Sequence, residues 1–357
     1  MDKLQGYRMP AEYSPHFGTI MIWPERKGSW THGAQPARAV FAKIIKAIAK
    51  CEKVFVAVSE EGKQSAEKAL CSEIEKGCVQ LWTIKTDDCW ARDMAPTFVT
   101  DGKTLKGIDW RFNAWGGEAD GLYPHWDDDD KFAAEACKKL QTECVSARPF
   151  VLEGGSIHSN GAGTVITTEE CLLSAGRNPN LSKEEIENNL KRYLGANKVI
   201  WLPYGVIGDE TNGHVDNICA FVGENTVVHG WTEAECEQKR RCVENIKILK
   251  ENGFEVVLLP FPEKPVKFNQ SDLDGFVYEQ GEIERTLDDC LAASYVNFYV
   301  CNYAVLVPQF GDVNDKTAVD ILSKCFEDRK IIAFDAVEII KGGGNVHCLT
   351  QQIPLVK

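Results

Sequence analysis

Cys348 stands four residues beyond the last of three consecutive glycines, in Gly342-Gly343-Gly344-Asn345-Val346-His347-Cys348. Glycine tolerates φ values that other residues avoid, so such a run lets backbone come close to a ligand and bend sharply. A cysteine delivered just after that bend is placed like a nucleophile. The same shape occurs in Glu153-Gly154-Gly155-Ser156-Ile157-His158-Ser159, with Glu153 where the later copy has Gly342 and Ser159 where it has Cys348. The echo suggests two copies of one structural unit facing a shared centre. Chance similarity of two Gly-Gly turns explains it equally well.

A second constellation is Asp209-Glu210-Thr211-Asn212-Gly213-His214-Val215-Asp216-Asn217. Histidine changes charge near neutral pH and can both give and take a proton within one cycle. On extended backbone, His214 and Asp216 would point the same way, since strand side chains repeat every second residue. A turn satisfied by its own Asp, Asn and Gly is the competing reading. The third constellation is Asp87-Asp88-Cys89-Trp90-Ala91-Arg92-Asp93-Met94-Ala95-Pro96. Asp93 beside Trp90 would receive a guanidinium or ammonium through charge-assisted hydrogen bonds and cation–π contact. Arg92 reads instead as a buried partner holding the turn. Trp115, in Trp110 to Gly117, is placed to line the same cavity, although plain aromatic packing would account for it too.

Cys348 with His214 offers nucleophilic catalysis. The carboxylates Asp93, Glu153 and Asp216 would repel the oxyanion of an attacked amide, which needs donors. They suit an electrophile that is itself a cation. A planar guanidinium presents five N–H donors in a fixed fork, and acids along its edges would hold it above the sulfur.

The elements that must position these residues follow a recurring order. Pro36 to Lys50 has apolar spacing near 3.6, Lys53 to Val58 reads as a strand, Glu61 to Glu75 as a helix and Val79 to Ile84 as a strand. Thr97 to Thr100 and Leu105 to Phe112 form a hairpin. Gly163 to Thr168, Cys171 to Leu173 and Val199 to Leu202 read as strands, with a helix from Ser182 to Leu194 capped by Ser182. Strands at Ile218 to Val222, Thr226 to Val228 and Phe254 to Pro260 flank a helix from Glu233 to Glu251. Ser294 to Val300, Tyr303 to Pro308, a helix from Asp315 to Asp328 and Lys330 to Phe334 repeat the order once more. Strand, strand, helix, strand at this spacing is a repeat architecture in one closed domain, 1–357. Asp127 to Asp130 reads as a solvated loop or helix start.

Composition bounds the function. The 357 residues carry a formal net charge of -13, which argues against nucleic-acid binding and suits a cationic small ligand. Fourteen cysteines contain no C-x-x-C pair, so the usual zinc and thioredoxin-like patterns are missing. Cys51, Cys137, Cys219, Cys301 and Cys325 read as small buried hydrophobes. Met1 to Gln5 has no apolar leader and no run reaches membrane-span length, so a cytoplasmic protein with reduced thiols is expected.

The sequence resembles the agmatine deiminases of the guanidine-modifying pentein superfamily. The resemblance runs through Met9 to Tyr13, Ile22 to Arg26, Trp90 to Val99, Phe112 to Gly117, Leu152 to His158, Asp209 to Asn217 and Gly342 to Thr350. It implies a five-bladed α/β-propeller of ββαβ repeats around a central channel, and hydrolysis of agmatine to N-carbamoylputrescine and ammonia on the route to putrescine. It also implies Cys348 as nucleophile, His214 as general acid then base, Asp93 and Asp216 gripping the guanidinium, and Glu153 as partner of His214 and of the substrate's edge. No metal or organic cofactor is expected. The expected partners are a small cationic guanidine and further copies of the chain. No cation besides Arg92 stands near the reactive residues of these segments, which favours agmatine over arginine. Glu210, or a neighbouring acid such as Asp88, is the expected receiver of the distal ammonium, although each acid could instead cap a turn or pair at the surface. An arginine or peptidylarginine deiminase, or a non-catalytic binding pentein, are the alternatives.

Overall fold

The computed structural model describes residues 4–357; Met1–Lys3, part of the segment read as lacking an apolar leader, lie outside the described residues. Among the described residues no helix is long and apolar enough to cross a membrane. Five sheets repeat one plan. A first strand pairs antiparallel with a second, and the second pairs parallel, after a helical crossover, with a third.

In chain order the first unit holds Thr97–Thr100, Leu105–Arg111 and Glu143–Val151. The second holds Ile157–Ser159, Thr164–Thr168 and Lys198–Leu202. Cys219–Phe221, Thr226–Trp231 and Glu255–Pro260 form the third, and Tyr299–Cys301, Ala304–Gln309 and Lys330–Asp335 the fourth. The fifth is split across the chain ends: Gln351–Pro354 pairs with His16–Ile22, which runs parallel to Lys53–Val58. A further parallel strand, Val79–Thr83, extends that sheet. First strands of neighbouring units pack on one another, Gln351–Pro354 on Thr97–Thr100 and Ile157–Ser159 on Cys219–Phe221, so the first strands lie innermost. This is the five-bladed α/β-propeller.

Local chemistry explains the elements. The helix Gln35–Ile48 buries Val40, Phe41, Ile44, Ile45 and Ile48 on one stripe, each worth about 1.5–3 kcal/mol when fully enclosed. Ser182 closes a capping box with Glu185 at the start of Lys183–Leu194, as the sequence indicates. Lys53–Val58 reads as a continuous apolar run because parallel neighbours and helices cover it on both faces.

Several expectations change. Cys171 to Leu173 is not a strand: Glu169–Leu172 is a helical turn, started by the Thr168 hydroxyl accepting from Cys171 N. The helices expected from Glu233 and up to Asp328 are shorter, Glu237–Glu251 and Asp315–Cys325. Within Asp127 to Asp130 a helical start does form, but Asp129 is fully buried. It accepts from the backbone of Asp87 and Asp88 and from the Tyr123 hydroxyl. Cys137, Cys219 and Cys301 are buried, whereas Cys51 and Cys325 are partly exposed.

Candidate active site

A turn precedes the first strand of every unit, and the five turns converge. Ala91–Met94 carries Asp93, Gly154–Ser156 follows Glu153, and Val215–Asn217 holds Asp216 just after His214. Asn297 precedes Tyr299–Cys301, and Cys348 precedes Gln351–Pro354. The two sequence echoes are therefore two of five equivalent positions. They differ in local form: Ile157–Ser159 is strand, while His347 and Cys348 sit in a turn. The Ser159 hydroxyl, the counterpart of Cys348, donates to Met9 O and braces backbone.

The sulfur of Cys348 lies 3.6 Å from Asp216 Oδ2 and receives an N–H from Asn297 Nδ2 at 3.2 Å. Burial pushes the thiol well above its ordinary range, and the negative charges of Asp216 and Asp93 push it further. Asp93 Oδ1 accepts from Gly155 N at 2.8 Å and Oδ2 from the Trp115 indole at 2.8 Å. Burial raises its carboxyl to about 6, with Asp216 and Glu153 adding to the rise and His214 opposing it. For Asp216, burial works upward, but the hydrogen bond and charge of His347 hold it below the usual carboxylate range. Asp216 Oδ1 is buried and has no hydrogen-bond partner.

His214 lies 3.9 Å from Asp93 through Nδ1 and 3.7 Å from Glu153 through Nε2. Burial works against its charge, yet Asp93, Cys171 and Glu153 raise its pKa well above the ordinary value and so favour the protonated ring. Glu153 is ionised despite burial because the Arg177 guanidinium sits against it, with Nε 3.0 Å from Oε1. His214 is not on a strand with Asp216: its ψ of 140° leads straight into the 3-10 turn Val215–Asn217. The pair still converges because the turn wraps around Gly155. A Cβ on Gly155 would lie 2.6 Å from His214 Nδ1 and 2.9 Å from both Asp216 Oδ2 and Asp93 Oδ1, so only glycine fits.

Each of the three glycines before Cys348 has its own cause. A Cβ on Gly342 would press into Trp30, one on Gly344 into Trp90, and Gly343 has φ 105° beneath Glu210. The Trp30 and Trp90 rings are stacked at 5.4 Å, so the turn lies on a firm aromatic floor. Above the sulfur opens a pocket to which Trp90, Asp93, Trp115, Glu210, His214 and Cys348 all contribute. Trp115 adopts φ 64°, a strained value for a tryptophan. Its carbonyl is held by Arg177, which also binds Asn212 and Thr211.

The sequence places Asp93, Glu153, His214, Asp216 and Cys348 in this centre, with Trp90, Trp115 and Glu210 along the pocket. Three arginines were not foreseen there. Arg26 and Arg285 line the pocket, paired with Glu282 and Glu210, and Arg177 lies behind Glu153. The expectation that only Arg92 stands near the site is thus corrected, and Glu210 is matched by a cation rather than free. Glu282 and Arg285 belong to an irregular stretch between Pro260 and Tyr299 whose lack of periodicity left no signal. Asn297 was equally unforeseen. It precedes an apolar strand in the register of the other four turns, and that repeat would have found it.

Among the described residues two groups have metal-ligand geometry, Glu12 with His158 and His347, and Glu153 with Cys171 and His214. A guanidinium already occupies the glutamate of each, Arg92 on Glu12 and Arg177 on Glu153. Such fixed cations oppose a metal at either place.

Comparison with known proteins agrees with the geometry. Residues 8–354 match the family described as Porphyromonas-type peptidyl-arginine deiminase. A Selenomonas ruminantium protein, provisionally named an agmatine deiminase, is 48% identical and covers 99% of this chain and 98% of its own. The agmatine deiminase of Ectopseudomonas mendocina is 42% identical, covering 99% of this chain and 96% of that protein. The solved structure of the Enterococcus faecalis agmatine deiminase superposes with a TM-score of 0.94 at 39% identity, covering 99% of this chain and 97% of that one.

Proposed function

The chain belongs to the Porphyromonas-type peptidyl-arginine deiminase family, and from that premise we propose that it hydrolyses agmatine to N-carbamoylputrescine and ammonia. The observation that carries this reading is a buried thiol under the charge of two carboxylates, Asp216 at 3.6 Å from the sulfur and Asp93, with Glu153 against His214. That surrounding repels an anion and welcomes a planar cation. The full-length likeness to agmatine deiminases supports the choice of guanidine.

In this reading Asp93 and Asp216 grip the guanidinium and set its carbon over Cys348. The substrate's charge offsets the two carboxylates, so the thiol gives up its proton to solvent as the substrate binds and the thiolate forms. The sulfur bonds to the guanidinium carbon, and His214, already protonated, gives its proton to the departing ammonia. The neutral imidazole then takes a proton from water, whose oxygen attacks the thiouronium carbon and releases the sulfur. Glu153, fixed by Arg177, orients His214. Asn297 donates to the sulfur and steadies the thiolate once it forms.

The distal ammonium enters the part of the pocket lined by Asp88, Glu210 and Glu282. Since Arg285 already neutralises Glu210, the acid excess there is smaller than the sequence implies. Arg26 pairs Glu282 in the same way, so the acids of the pocket do not by themselves select against the carboxylate of arginine, and the choice of agmatine rests on the full-length likeness. The product retains putrescine's four-carbon diamine, which fits a step toward polyamines. The fourteen cysteines, all free, suit a reducing compartment such as the cytoplasm.

Ammonia release from agmatine, arginine and a peptidyl-arginine should be measured side by side, with Cys348→Ser as the blank. Agmatine is expected to give by far the highest kcat/KM, and the variant none. Preference for a peptidyl-arginine, or a Cys348→Ser protein of normal rate, would sink the reading.

A further inference from the structure

We propose that His347 is a positioning residue held as an imidazolium, which binds one oxygen of Asp216 and leaves the other presented to the guanidinium substrate. The proposal rests on the reading of Asp216 as a substrate-gripping acid and adds a residue behind it.

The geometry is a chain of alternating charge. His347 Nδ1 is 2.8 Å from Asp216 Oδ2 and Nε2 is 2.7 Å from Glu12 Oε2. A neutral imidazole has one donor, and two ionised carboxylates offer none, so two such contacts need both ring nitrogens protonated. Glu12 is secured as a carboxylate by further donors, Arg92 Nη2 at 3.0 Å and Val300 N at 2.9 Å. Arg92 in turn donates to Gln352 Oε1 at 2.6 Å.

Counting charge gives the same answer. Glu12, Arg92, Asp216 and His347 are all at most 4% exposed. Two acids and two cations cancel, whereas a neutral His347 would leave a buried anion uncompensated, which is costly. The charged or titratable groups facing the ring are Asp216 from the turn Val215–Asn217, Glu12 from the N-terminal segment, Arg92 from Ala91–Met94 and His158 from Ile157–Ser159. His158 stacks on His347 at 6.0 Å and is kept neutral, burial lowering it to about 4, so it does not compete for the proton. Nearby Glu12 and Asp216 raise His347 above its ordinary value, against burial and Arg92.

The consequence lies on Asp216. With Oδ2 taken by His347, Oδ1 remains buried and unpartnered, ready for one substrate N–H. The His347 backbone is pinned as well, its N–H donating to Asn297 Oδ1 at 3.0 Å. The same residue thus fixes the acid and the chain segment that delivers Cys348.

The full-length enzyme labelled with ¹⁵N-histidine tests the charge directly. His347, assigned by the signal lost in His347→Gln, is expected to show both ring nitrogens protonated throughout the window in which ordinary histidines titrate, about pH 5.5 to 7.5. Glu12→Gln should restore titration inside that window. In agmatine kinetics His347→Gln and His347→Phe are expected to raise KM at least about tenfold, equivalent to roughly 1.4 kcal/mol. Their kcat should fall less, and the acid-side decline of kcat/KM should move to higher pH, because Asp216 then protonates more readily. A wild-type His347 that titrates in the window overturns the proposal, whatever substrate is turned over. So do variants with unchanged KM and acid-side decline. Wild-type protein that releases no ammonia from agmatine overturns the substrate reading instead, while the ¹⁵N spectrum still decides the charge of His347.

Discussion

At the scale of single residues, the centre works by opposing pKa shifts. His214 is pushed up by neighbouring acids, which favours its protonated ring, while Cys348 is pushed up by burial and acids and keeps its proton. The free enzyme therefore holds a poor nucleophile until a cation arrives. Asp93 is the exposed flank of this design, since burial lifts its carboxyl to about 6. Protonated Asp93 loses its charge and its grip on a guanidinium. Because the shift is upward, the loss comes on lowering pH through about 6 and not on raising it. Binding of agmatine to the Cys348→Ser protein, in which no thiol titrates, is expected to be independent of pH just above that point and to weaken roughly tenfold per pH unit below it. An acid limb lying below pH 5 would mean that Asp93 is not the group that must be ionised.

At the scale of elements, the turns matter more than the strands they precede. Repeat order, the Ser182 cap and the hairpin at Thr97–Thr100 were legible because propensity and period are local properties. The turn at Val215–Asn217 was not, because a strand and a 3-10 turn share the same polar, glycine-containing sequence and packing around Gly155 decides between them. The role of Gly344 was half legible. Its run of glycines announced close approach, but only the fold shows that the neighbour is the Trp90 ring. Gly344→Ala should force that ring or the turn to shift, costing about 1–3 kcal/mol by overpacking. A displacement of Cys348 near 1 Å would lower kcat/KM on the order of 10²-fold. Thermal unfolding with steady-state kinetics checks both; full activity in the alanine variant would show that the turn tolerates the methyl group.

At the scale of the whole molecule, the ring closes through its two ends. Gln351–Pro354 pairs with His16–Ile22, and residues 351 to 354 are all buried. The strand follows Cys348 by three residues, so closing the ring and presenting the nucleophile are one event. Removing residues 351–357 should cost several kcal/mol, about 3–6 from lost ladder bonds and apolar burial, and should abolish activity. Differential scanning calorimetry of the truncated chain measures this. A truncated protein with unchanged Tm and turnover would separate closure from the site.

What the sequence determined by itself is the chemistry and the repeat. Cysteine, histidine and three carboxylates beside glycine turns pointed to a cationic electrophile, and strand-strand-helix-strand order pointed to a ring of like units. Those signals are carried by residue type and by near neighbours in the chain. Only the tertiary structure decided which groups neutralise which. Arg177 with Glu153, Arg285 with Glu210, Arg26 with Glu282 and Glu12 with Arg92 and His347 are pairs far apart in sequence. Burial and distance set the charge of each group, and neither is a property of a short segment. The same holds for Asn297, an unremarkable residue until the fourth turn of the ring brings it 3.2 Å from the sulfur.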